Sequence, residues 1–354
     1  MSLTNNIKEK ISIEVIKTLI SRFENFPEDS TSNRNAPFHE SFLRAFSDKF
    51  EGKVSDIPFF ISLASWAHGL STTLGQNFFE NIAQHISNGQ KREYTSKKLG
   101  NLQLTQFQKD HISNIVNDLS NSTASPHLLN ENELLFCEYV EDLVKAWDFS
   151  ADVFFEDEDS ITAIELKSVK PNAGEMRGEK QKILEGKAAL YRLYPDKKIK
   201  FYIGFPFDPT VNPTLESPTS FNKERFLNSI INMKKYFHPD ETLIASELWN
   251  YLSGTENTME EILEIINAIA TTTFIEKFQI ICNKENKAES EYRTLLREWN
   301  LFSEIKLIDN DDVIKRGVQN DKNLIRIYNK NPFNSKGSYD FERYLILNEL
   351  LTSQ

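Results

Sequence analysis

The stretch SADVFFEDEDSITAIELKSV, residues 150–169, constrains the fold most, because it has the pattern of two buried strands whose apolar runs contain three charged side chains. The side chains of a strand alternate between its two faces, so Glu165 and Lys167 share one face while their apolar neighbours point the other way. Charge on an interior face is costly unless it is paired or bound to a metal ion. The stretch therefore predicts either a solvated ladder of salt bridges or a functional site that contains Asp152, Glu165 and Lys167.

The segments next to this stretch predict an α/β core. EDEDS is a plausible turn between the two strands, a helix is expected at about residues 175–193, and KKIKFYIGFPF has the apolar content of a further strand. The order strand, strand, helix, strand indicates a central mixed β-sheet flanked by helices.

Outside this core the patterns are mostly helical. Apolar residues recur at helical spacing through the first 120 residues and again from about residue 222. Strand-like content begins at about residue 131, in ENELLFCEYV, and two short runs near the C-terminus, EIKLID and NLIRIYN, also favour strands. We therefore expect a helical N-terminal part and a mostly helical C-terminal extension.

The composition is that of a folded protein and excludes several classes of function. At 354 residues, with 39% hydrophobic and 26% charged residues, the chain can form one large domain or two ordinary ones. No apolar run approaches the length of a membrane span, so no membrane partner is expected. The histidines lack zinc-site spacing, and without a phosphate-binding Gly-rich loop we expect no nucleotide cofactor. Cys137 and Cys282 lie far apart in apolar contexts, which indicates reduced, buried cysteines in a cytoplasmic protein.

The charge distribution favours a confined site for a polyanion. The net charge is −11, which argues against indiscriminate coating of nucleic acid. Residues 165–200 nevertheless hold ten Lys or Arg against five Asp or Glu, and a second small basic cluster lies at residues 91–98. Residues 238–265 hold seven acids and no Lys or Arg, so we expect them to avoid a polyanion. A solvated helix face is the alternative explanation of the basic segment.

An aspartate followed by Glu-x-Lys on a neighbouring strand is the arrangement of metal-dependent nucleases. Two carboxylates can bind Mg²⁺, which prefers oxygen ligands, stabilises charge on a phosphate and lowers the pKa of a bound water. A lysine on the same face can orient or deprotonate that water, or offset phosphate charge. Asp/Glu-x-Lys occurs six times in the chain. Only at Glu165 is it accompanied by an upstream aspartate in an apolar strand and by a basic segment that follows.

The stretch SADVFFEDEDSITAIELKSVKPNAGEMRGEKQKIL resembles the PD-(D/E)xK nuclease core, and more narrowly the chain is similar to the TdeIII-type family of type II restriction endonucleases. The likeness includes PFHESFL, LGQNFFENIA, KPNAGEMRGEKQ and ELWNYLSGTENTMEEI. The leading proline is absent, since Ala151 precedes Asp152, but this proline is often missing in the superfamily. The resemblance implies a restriction-endonuclease-like fold. It also implies a Mg²⁺-dependent enzyme of a restriction–modification system that cuts double-stranded DNA at a short palindromic site.

The resemblance also implies roles for individual residues. Asp152 and Glu165 are then the metal ligands and Lys167 the catalytic lysine. Glu80, the only acid in LGQNFFENIA, matches a further catalytic glutamate that relatives supply from a helix, with a helix-surface carboxylate as the alternative. Lysine and arginine suit phosphates, while Asn, Gln and Arg suit base edges. The candidate DNA contacts after the second strand are Lys170, Asn172, Arg177, Lys180 and Gln181.

Three parts of the chain are expected. Residues 1–130 form a mainly helical part that packs on the core and supplies one core helix, residues 131–240 form the nuclease core, and residues 241–354 form an extension for dimerisation or DNA recognition. A palindromic site requires two copies related by a two-fold axis, so we expect a homodimer. Two alternatives stay open: a repair or recombination nuclease that recognises DNA structure, and a noncatalytic DNA-binding protein.

Overall fold

The chain forms two compact units. The computed structural model describes residues 2–27, 37–54, 57–137, 142–167, 173–230 and 232–352. One unit, which we call the sheet unit, comprises Met1–Leu3 and Phe79–Ile262, and the other, the helical unit, comprises Thr4–Phe78 and Leu263–Gln354. Each unit therefore combines segments that are distant in the sequence, and the predicted divisions at residues 130 and 240 both fall inside the sheet unit.

A five-stranded mixed sheet forms the centre of the sheet unit. The strands in the described part of the chain are β1 (Gln90–Tyr94), β2 (Gln103–Thr105), β3 (Leu143–Lys145), β4 (Phe149–Glu156), β5 (Ser160–Leu166), β6 (Lys198–Phe205) and β7 (Thr242–Ile244). The spatial order of the large sheet is β1-β4-β5-β6-β7, while β2 and β3 form a separate antiparallel pair. β1 and β5 pair antiparallel with β4, and β6 pairs parallel with both β5 and β7. The predicted α/β core with a mixed sheet is confirmed.

Helices account for most of the remaining structure. They are α1 (Asn5–Phe23), α2 (Pro37–Leu43), α3 (Ser47–Phe50), α4 (Ile57–Thr73), α5 (Phe79–Ser87), α6 (Gln106–Asn121), α7 (Leu128–Leu135), α8 (Ala173–Leu193), α9 (Lys223–Ser229), α10 (Met233–Tyr236), α11 (Ser246–Ser253), α12 (Thr258–Ile269), α13 (Phe274–Cys282), α14 (Ser290–Glu298), α15 (Phe302–Asp309), α16 (Asp311–Val318), α17 (Lys322–Tyr328) and α18 (Phe341–Thr352). α5 to α11 lie in the sheet unit. The helical N-terminal part and the mostly helical C-terminal extension are therefore as predicted.

α8 connects β5 to β6, as a parallel strand pair requires. The helix lies close to the sheet because Gly186 has no side chain: a Cβ there would be 2.7 Å from the ring of Phe201 in β6. Gly204 has the same effect within the sheet, where a Cβ would be 2.9 Å from the side chain of Leu166. The close approach at Gly186 therefore sets α8 against the sheet, and the one at Gly204 sets β6 against β5, which contains Glu165.

The helical unit has its own core and a buried polar group. Leu307, Ile314, Val318 and Leu347 form a buried apolar cluster. The Arg343 guanidinium lies 2.7 Å from Glu304, and both side chains are 1% exposed. A buried ion pair of this kind requires further hydrogen bonds to offset desolvation, and the hydroxyl of Tyr339 donates one to Glu304 over 2.6 Å.

The strand predictions for EIKLID and NLIRIYN are wrong, because both segments are helical. EIKLID lies in α15, whose buried Ser303, Glu304 and Leu307 share one face at helical spacing. NLIRIYN lies mostly in α17, which begins after Asp321, and the carboxylate of Asp321 accepts hydrogen bonds from the N–H groups of residues 323 and 324. The apolar content of both runs covers a helix face and not alternate positions of a strand.

Two further assignments near the sheet also differ from the prediction. Residues 131–135, expected to begin the strand region, belong to α7, which starts after the N-cap His127. Conversely, residues 91–94 of the basic cluster lie in the edge strand β1, for which no strand was predicted. β1 has only one neighbouring strand in the described sheet, so its side chains are partly exposed and lack the alternating apolar pattern.

Among the described residues, no single helix is both long and apolar enough to cross a membrane. α12 and α13 meet those criteria only as a pair, and they are bent by 81° relative to each other.

Candidate active site

The pairing of β4 with β5 brings Asp152 opposite Glu165. Val153 pairs with Ile164 in the antiparallel ladder, so the residues next to them face each other across the two strands. Asp152 is 5% exposed, and its Oδ2 accepts a hydrogen bond of 2.9 Å from the backbone N–H of Leu166. This bond fixes the orientation of the carboxylate and leaves Oδ1 directed elsewhere.

Lys167 directly follows β5, and its ammonium group lies between two carboxylates. Nζ is 3.1 Å from Oε1 of Glu165 and 3.3 Å from Oε1 of Glu179 in α8. Glu179 is buried, and the more exposed Lys182 contacts the same oxygen over 3.0 Å. Burial by itself would lower the pKa of Lys167, but the two carboxylates outweigh burial and raise this pKa. The ammonium form is therefore favoured.

A second lysine joins Asp152 to Glu80. Glu80 lies in the first turn of α5, and Lys91 lies in β1. The Nζ of Lys91 is 2.8 Å from Oε2 of Glu80 and 3.0 Å from Oδ1 of Asp152. Gln84, one turn after Glu80, donates a hydrogen bond of 2.9 Å to the backbone carbonyl of Asp152 and so ties α5 to β4. The structure thus brings Glu80 to the predicted site.

The carboxylates of the site perturb one another. Burial raises the pKa of Glu165 to about 7, and the negative charge of Asp152 contributes to the rise. The hydroxyl of Ser150 donates to Oε2 of Glu165 over 3.2 Å. Burial likewise raises the pKa of Glu80, against the lowering effect of Lys91. Each carboxylate would be stabilised in its charged form by additional positive charge.

The donor set fits a hard divalent cation. We call the following residues the active-site cluster: Glu80, Lys91, Asp152, Glu165, Lys167, Glu179 and Lys182. Its four carboxylates face three ammonium groups, which leaves a formal excess of one negative charge. Within the described ranges, no three Asp, Glu, His or Cys side chains are grouped as a metal site; in this cluster ammonium groups lie between the carboxylates. Carboxylate oxygens are the ligands that Mg²⁺ prefers, and Asp152 and Glu165 offer them side by side.

The predicted DNA contacts have different positions. Lys170 and Asn172 lie outside the described residues. Arg177 is exposed near the start of α8, and its guanidinium donates a hydrogen bond of 3.3 Å to the side chain of Asn117. Gln181 is half-buried and donates over 3.1 Å to Glu185 on the same helix.

Lys180 is fully buried, which contradicts its predicted contact with DNA. Its Nζ lies 2.5 Å from Glu131 and 2.7 Å from Glu241. Lys187 follows Lys180 by seven residues and lies on the same face of α8. Its Nζ is 2.8 Å from Glu241. We call these four residues the buried lysine network. An ammonium group enclosed in this way cannot reach a phosphate.

The sequence analysis missed three residues of the active-site cluster, Lys91, Glu179 and Lys182. Lys91 belongs to the basic cluster at residues 91–98, which was noted only for its charge. Glu179 lies in GEMRGEKQ, a segment that the resemblance singled out for basic residues. A signal existed for Glu179, because it lies three residues after Met176 and four before Ile183, at the helical spacing of buried apolar positions.

Comparisons with known proteins cover the whole site. The family described as "Type II restriction endonuclease, HinfI" matches residues 3–270. The type II restriction enzyme MjaII of Methanocaldococcus jannaschii is 42% identical over 374 aligned residues, which cover 99% of this chain and 98% of that protein. Every residue of the active-site cluster lies within both matched regions.

Proposed function

Because this chain belongs to the HinfI family of type II restriction endonucleases, we propose that it hydrolyses double-stranded DNA at the active-site cluster, with Mg²⁺ bound by Asp152 and Glu165. The predicted class of enzyme is confirmed; the TdeIII-type family and the PD-(D/E)xK superfamily stay predictions. The strand register that sets Asp152 opposite Glu165, with Lys167 next to them, is the observation on which the proposal rests.

Asp152 and Glu165 would hold the cation from adjacent strands. A bound Mg²⁺ ion would neutralise charge on the scissile phosphate and lower the pKa of a water. Asp152 is positioned for this role because the N–H of Leu166 occupies Oδ2 and orients the carboxylate. Glu80 lies on the other side of Asp152 and completes the acidic face.

Lys167 acts as a hydrogen-bond donor to the reacting phosphate or to the attacking water. Its two carboxylate partners favour the ammonium form, which donates and neutralises charge but does not accept a proton. Glu179 is a positioning residue, because it touches Lys167 and lies on α8, away from β5. An ammonium held at two points loses little freedom when the substrate arrives.

Double-stranded DNA with a short palindromic site is the proposed substrate, and a homodimer is the proposed assembly, since two copies related by a two-fold axis match such a site. The proposed DNA contacts are Lys170, Asn172 and Arg177. Gln181 is a further candidate if its hydrogen bond to Glu185 breaks. Lys180 is not among the proposed DNA contacts, because its side chain is buried.

Cleavage of sequenced plasmid DNA tests the proposal. With Mg²⁺ the protein should give discrete fragments whose mapped ends share one sequence. Asp152→Asn and Lys167→Met should lower the cleavage rate by about 10²–10⁴-fold, the usual contribution of a positioned catalytic group. With Ca²⁺ the wild-type protein should bind DNA without cutting, because the larger ion fits the same oxygens with looser geometry.

Lys197→Met is the matched control. Lys197 lies 2.7 Å from Glu156 at the far end of β4, so it too is a lysine paired with a carboxylate of the sheet, but it lies outside the active-site cluster. Its replacement should leave the rate within about twofold, as expected for a surface ion pair. A Lys167→Met variant that cuts as fast as Lys197→Met would refute the assignment.

A further inference from the structure

Lys91 occupies the position that Asp152 and Glu80 would offer to a cation. Its ammonium group lies 3.0 Å from Oδ1 of Asp152 and 2.8 Å from Oε2 of Glu80. The other oxygen of Asp152, Oδ2, already accepts the N–H of Leu166. A cation that binds Oδ1 of Asp152 therefore meets the ammonium group of Lys91 at the same oxygen.

The charges of the active-site cluster favour either the ammonium group of Lys91 or a divalent metal ion next to Asp152, but not both. The formal charge is −1 with Lys91 in place and −2 after Lys91 leaves, and a divalent cation then brings it to zero. With Lys91 still present, the ammonium group and the divalent ion would repel each other. At about 4 Å, even with the screening of bulk water, this repulsion weakens cation binding roughly tenfold or more.

The side chain of Lys91 is also able to move away from Asp152 and Glu80. It lies on the edge strand β1, its side chain is 39% exposed, and lysine has a long flexible stem. The adjacent Arg92 differs, since its guanidinium is packed on the ring of Phe154 at 4.2 Å and donates to Tyr94 and Tyr194.

We propose that Lys91 is an internal counter-ion of the DNA-free enzyme, which leaves Asp152 and Glu80 when a divalent cation binds and then contacts a phosphate of the bound DNA. This inference rests on the proposed function, because it takes Asp152 as a metal ligand. DNA that attracts Lys91 would raise the affinity for the cation, and by thermodynamic reciprocity the cation would raise the affinity for DNA by the same factor.

Calcium titration of the DNA-free protein, followed by calorimetry, tests the first step. Lys91→Met should bind Ca²⁺ about tenfold or more tightly than wild type, because the competing charge is gone. Lys91→Arg, which keeps the charge, and Lys197→Met, which removes a lysine paired elsewhere on β4, should stay within about twofold. Equal Ca²⁺ affinity of Lys91→Met and wild type would overturn the inference.

DNA binding in Ca²⁺ tests the second step. Fluorescence anisotropy with a labelled duplex that contains the mapped cleavage site gives the affinity at several salt concentrations. If Lys91 contacts a phosphate, the slope of log affinity against log salt should be smaller by about one in Lys91→Met than in Lys197→Met. Identical slopes would overturn the transfer of Lys91 to DNA.

Asp152→Asn separates this inference from the proposed function. That variant should lose most Ca²⁺ binding if Asp152 is a ligand. Asp152→Asn with wild-type Ca²⁺ affinity would refute the proposed metal site itself. If Asp152→Asn loses Ca²⁺ binding while Lys91→Met binds Ca²⁺ no more tightly than wild type, only the counter-ion role of Lys91 is refuted. Thermal melting of each variant confirms that it is folded.

Discussion

Replacement of Glu241 by glutamine tests how strongly the buried lysine network stabilises the sheet unit. Glu241 is 1% exposed, and its carboxylate oxygens lie 2.7 Å from Lys180 and 2.8 Å from Lys187. The N–H of His238 also donates to Glu241 over 3.2 Å. Both lysines belong to α8, whereas Glu241 immediately precedes β7, so the network joins two parts of the unit. Glutamine keeps the shape but removes the charge that both lysines face.

The size of the effect follows from the pKa of Glu241. Burial alone would raise this pKa, but Lys187 and Lys180 outweigh burial and lower it from 4.5 to about 2. At about 1.4 kcal/mol per pKa unit, the difference is worth about 3 kcal/mol. Removal of one partner from a buried ion pair costs about 3–5 kcal/mol, which agrees. For a domain of this size, we expect the melting temperature at pH 7 to fall by roughly 6–12 °C.

The loss should depend on pH in a defined direction. A carboxyl group whose pKa is lowered by folding stabilises the folded state above its unfolded pKa, and that stabilisation disappears as the pH falls through the folded pKa. The difference between wild type and Glu241→Gln should therefore be full at pH 7, shrink below about pH 4.5, and be small near pH 2.

Thermal melting at several pH values, followed by circular dichroism, is the assay. Glu216→Gln is the matched control, because Glu216 makes a bidentate ion pair with Arg225 that is partly exposed to solvent. Its melting temperature should change much less, as surface pairs contribute little. A Glu241→Gln variant that melts with wild type at pH 7, or whose deficit is the same at pH 3, would refute the reasoning.

Two further predictions concern α8. Glu179→Gln weakens the hold on Lys167, so the cleavage rate should fall about tenfold, as for the loss of one charged hydrogen bond. The DNA affinity in Ca²⁺ should stay at the wild-type value, and the melting temperature should fall less than in Glu241→Gln, because Lys167 keeps Glu165 as a partner and Lys182 is exposed to solvent. A parallel loss of cleavage rate and DNA affinity would indicate a merely structural role. Gly186→Ala places a Cβ 2.7 Å from Phe201 and should destabilise by about 1–3 kcal/mol. In the same helix, the added Cβ of Gly178→Ala meets no atom within 4 Å, so this substitution should stabilise the protein by about 0.5–1 kcal/mol. Unfolding in denaturant measures both variants, and a Gly186→Ala variant more stable than Gly178→Ala would contradict the close contact of Gly186 with Phe201.

The sequence predicted those parts of the fold whose signal is local. The strands β4 and β5 have long apolar runs and a turn between them, and α8 and β6 follow with clear periodicity, so the centre of the sheet was predictable. The proximity of Asp152, Glu165 and Lys167 was predictable for the same reason, since alternation along a strand and one short turn place them together. The structure of the short apolar runs EIKLID and NLIRIYN near the C-terminus was not predictable, because runs of that length fit a helix face or a strand equally well.

Residues that reach the site by long-range pairing were not predictable in the same way. Lys91 reaches Asp152 only because β1 pairs with β4, a contact between segments about sixty residues apart. Nothing in KREY distinguishes an edge strand from a solvated loop, since an edge strand tolerates charge at consecutive positions. The composition of the two units depends on long-range contacts as well, because the helical unit combines residues 4–78 with residues 263–354.

The helical phase of α8 explains how one basic segment serves two purposes. Consecutive residues of an α-helix point about 100° apart. Glu179 therefore faces Lys167 in the active-site cluster, while Lys180 points into the interior toward Glu131 and Glu241. Counting charges along the sequence treats GEKQK as a single solvated face and so assigns Lys180 to DNA. The orientation of α8 that directs Lys180 and Lys187 to Glu241 also presents Glu179 to Lys167, so the buried lysine network and the site geometry share one helix orientation.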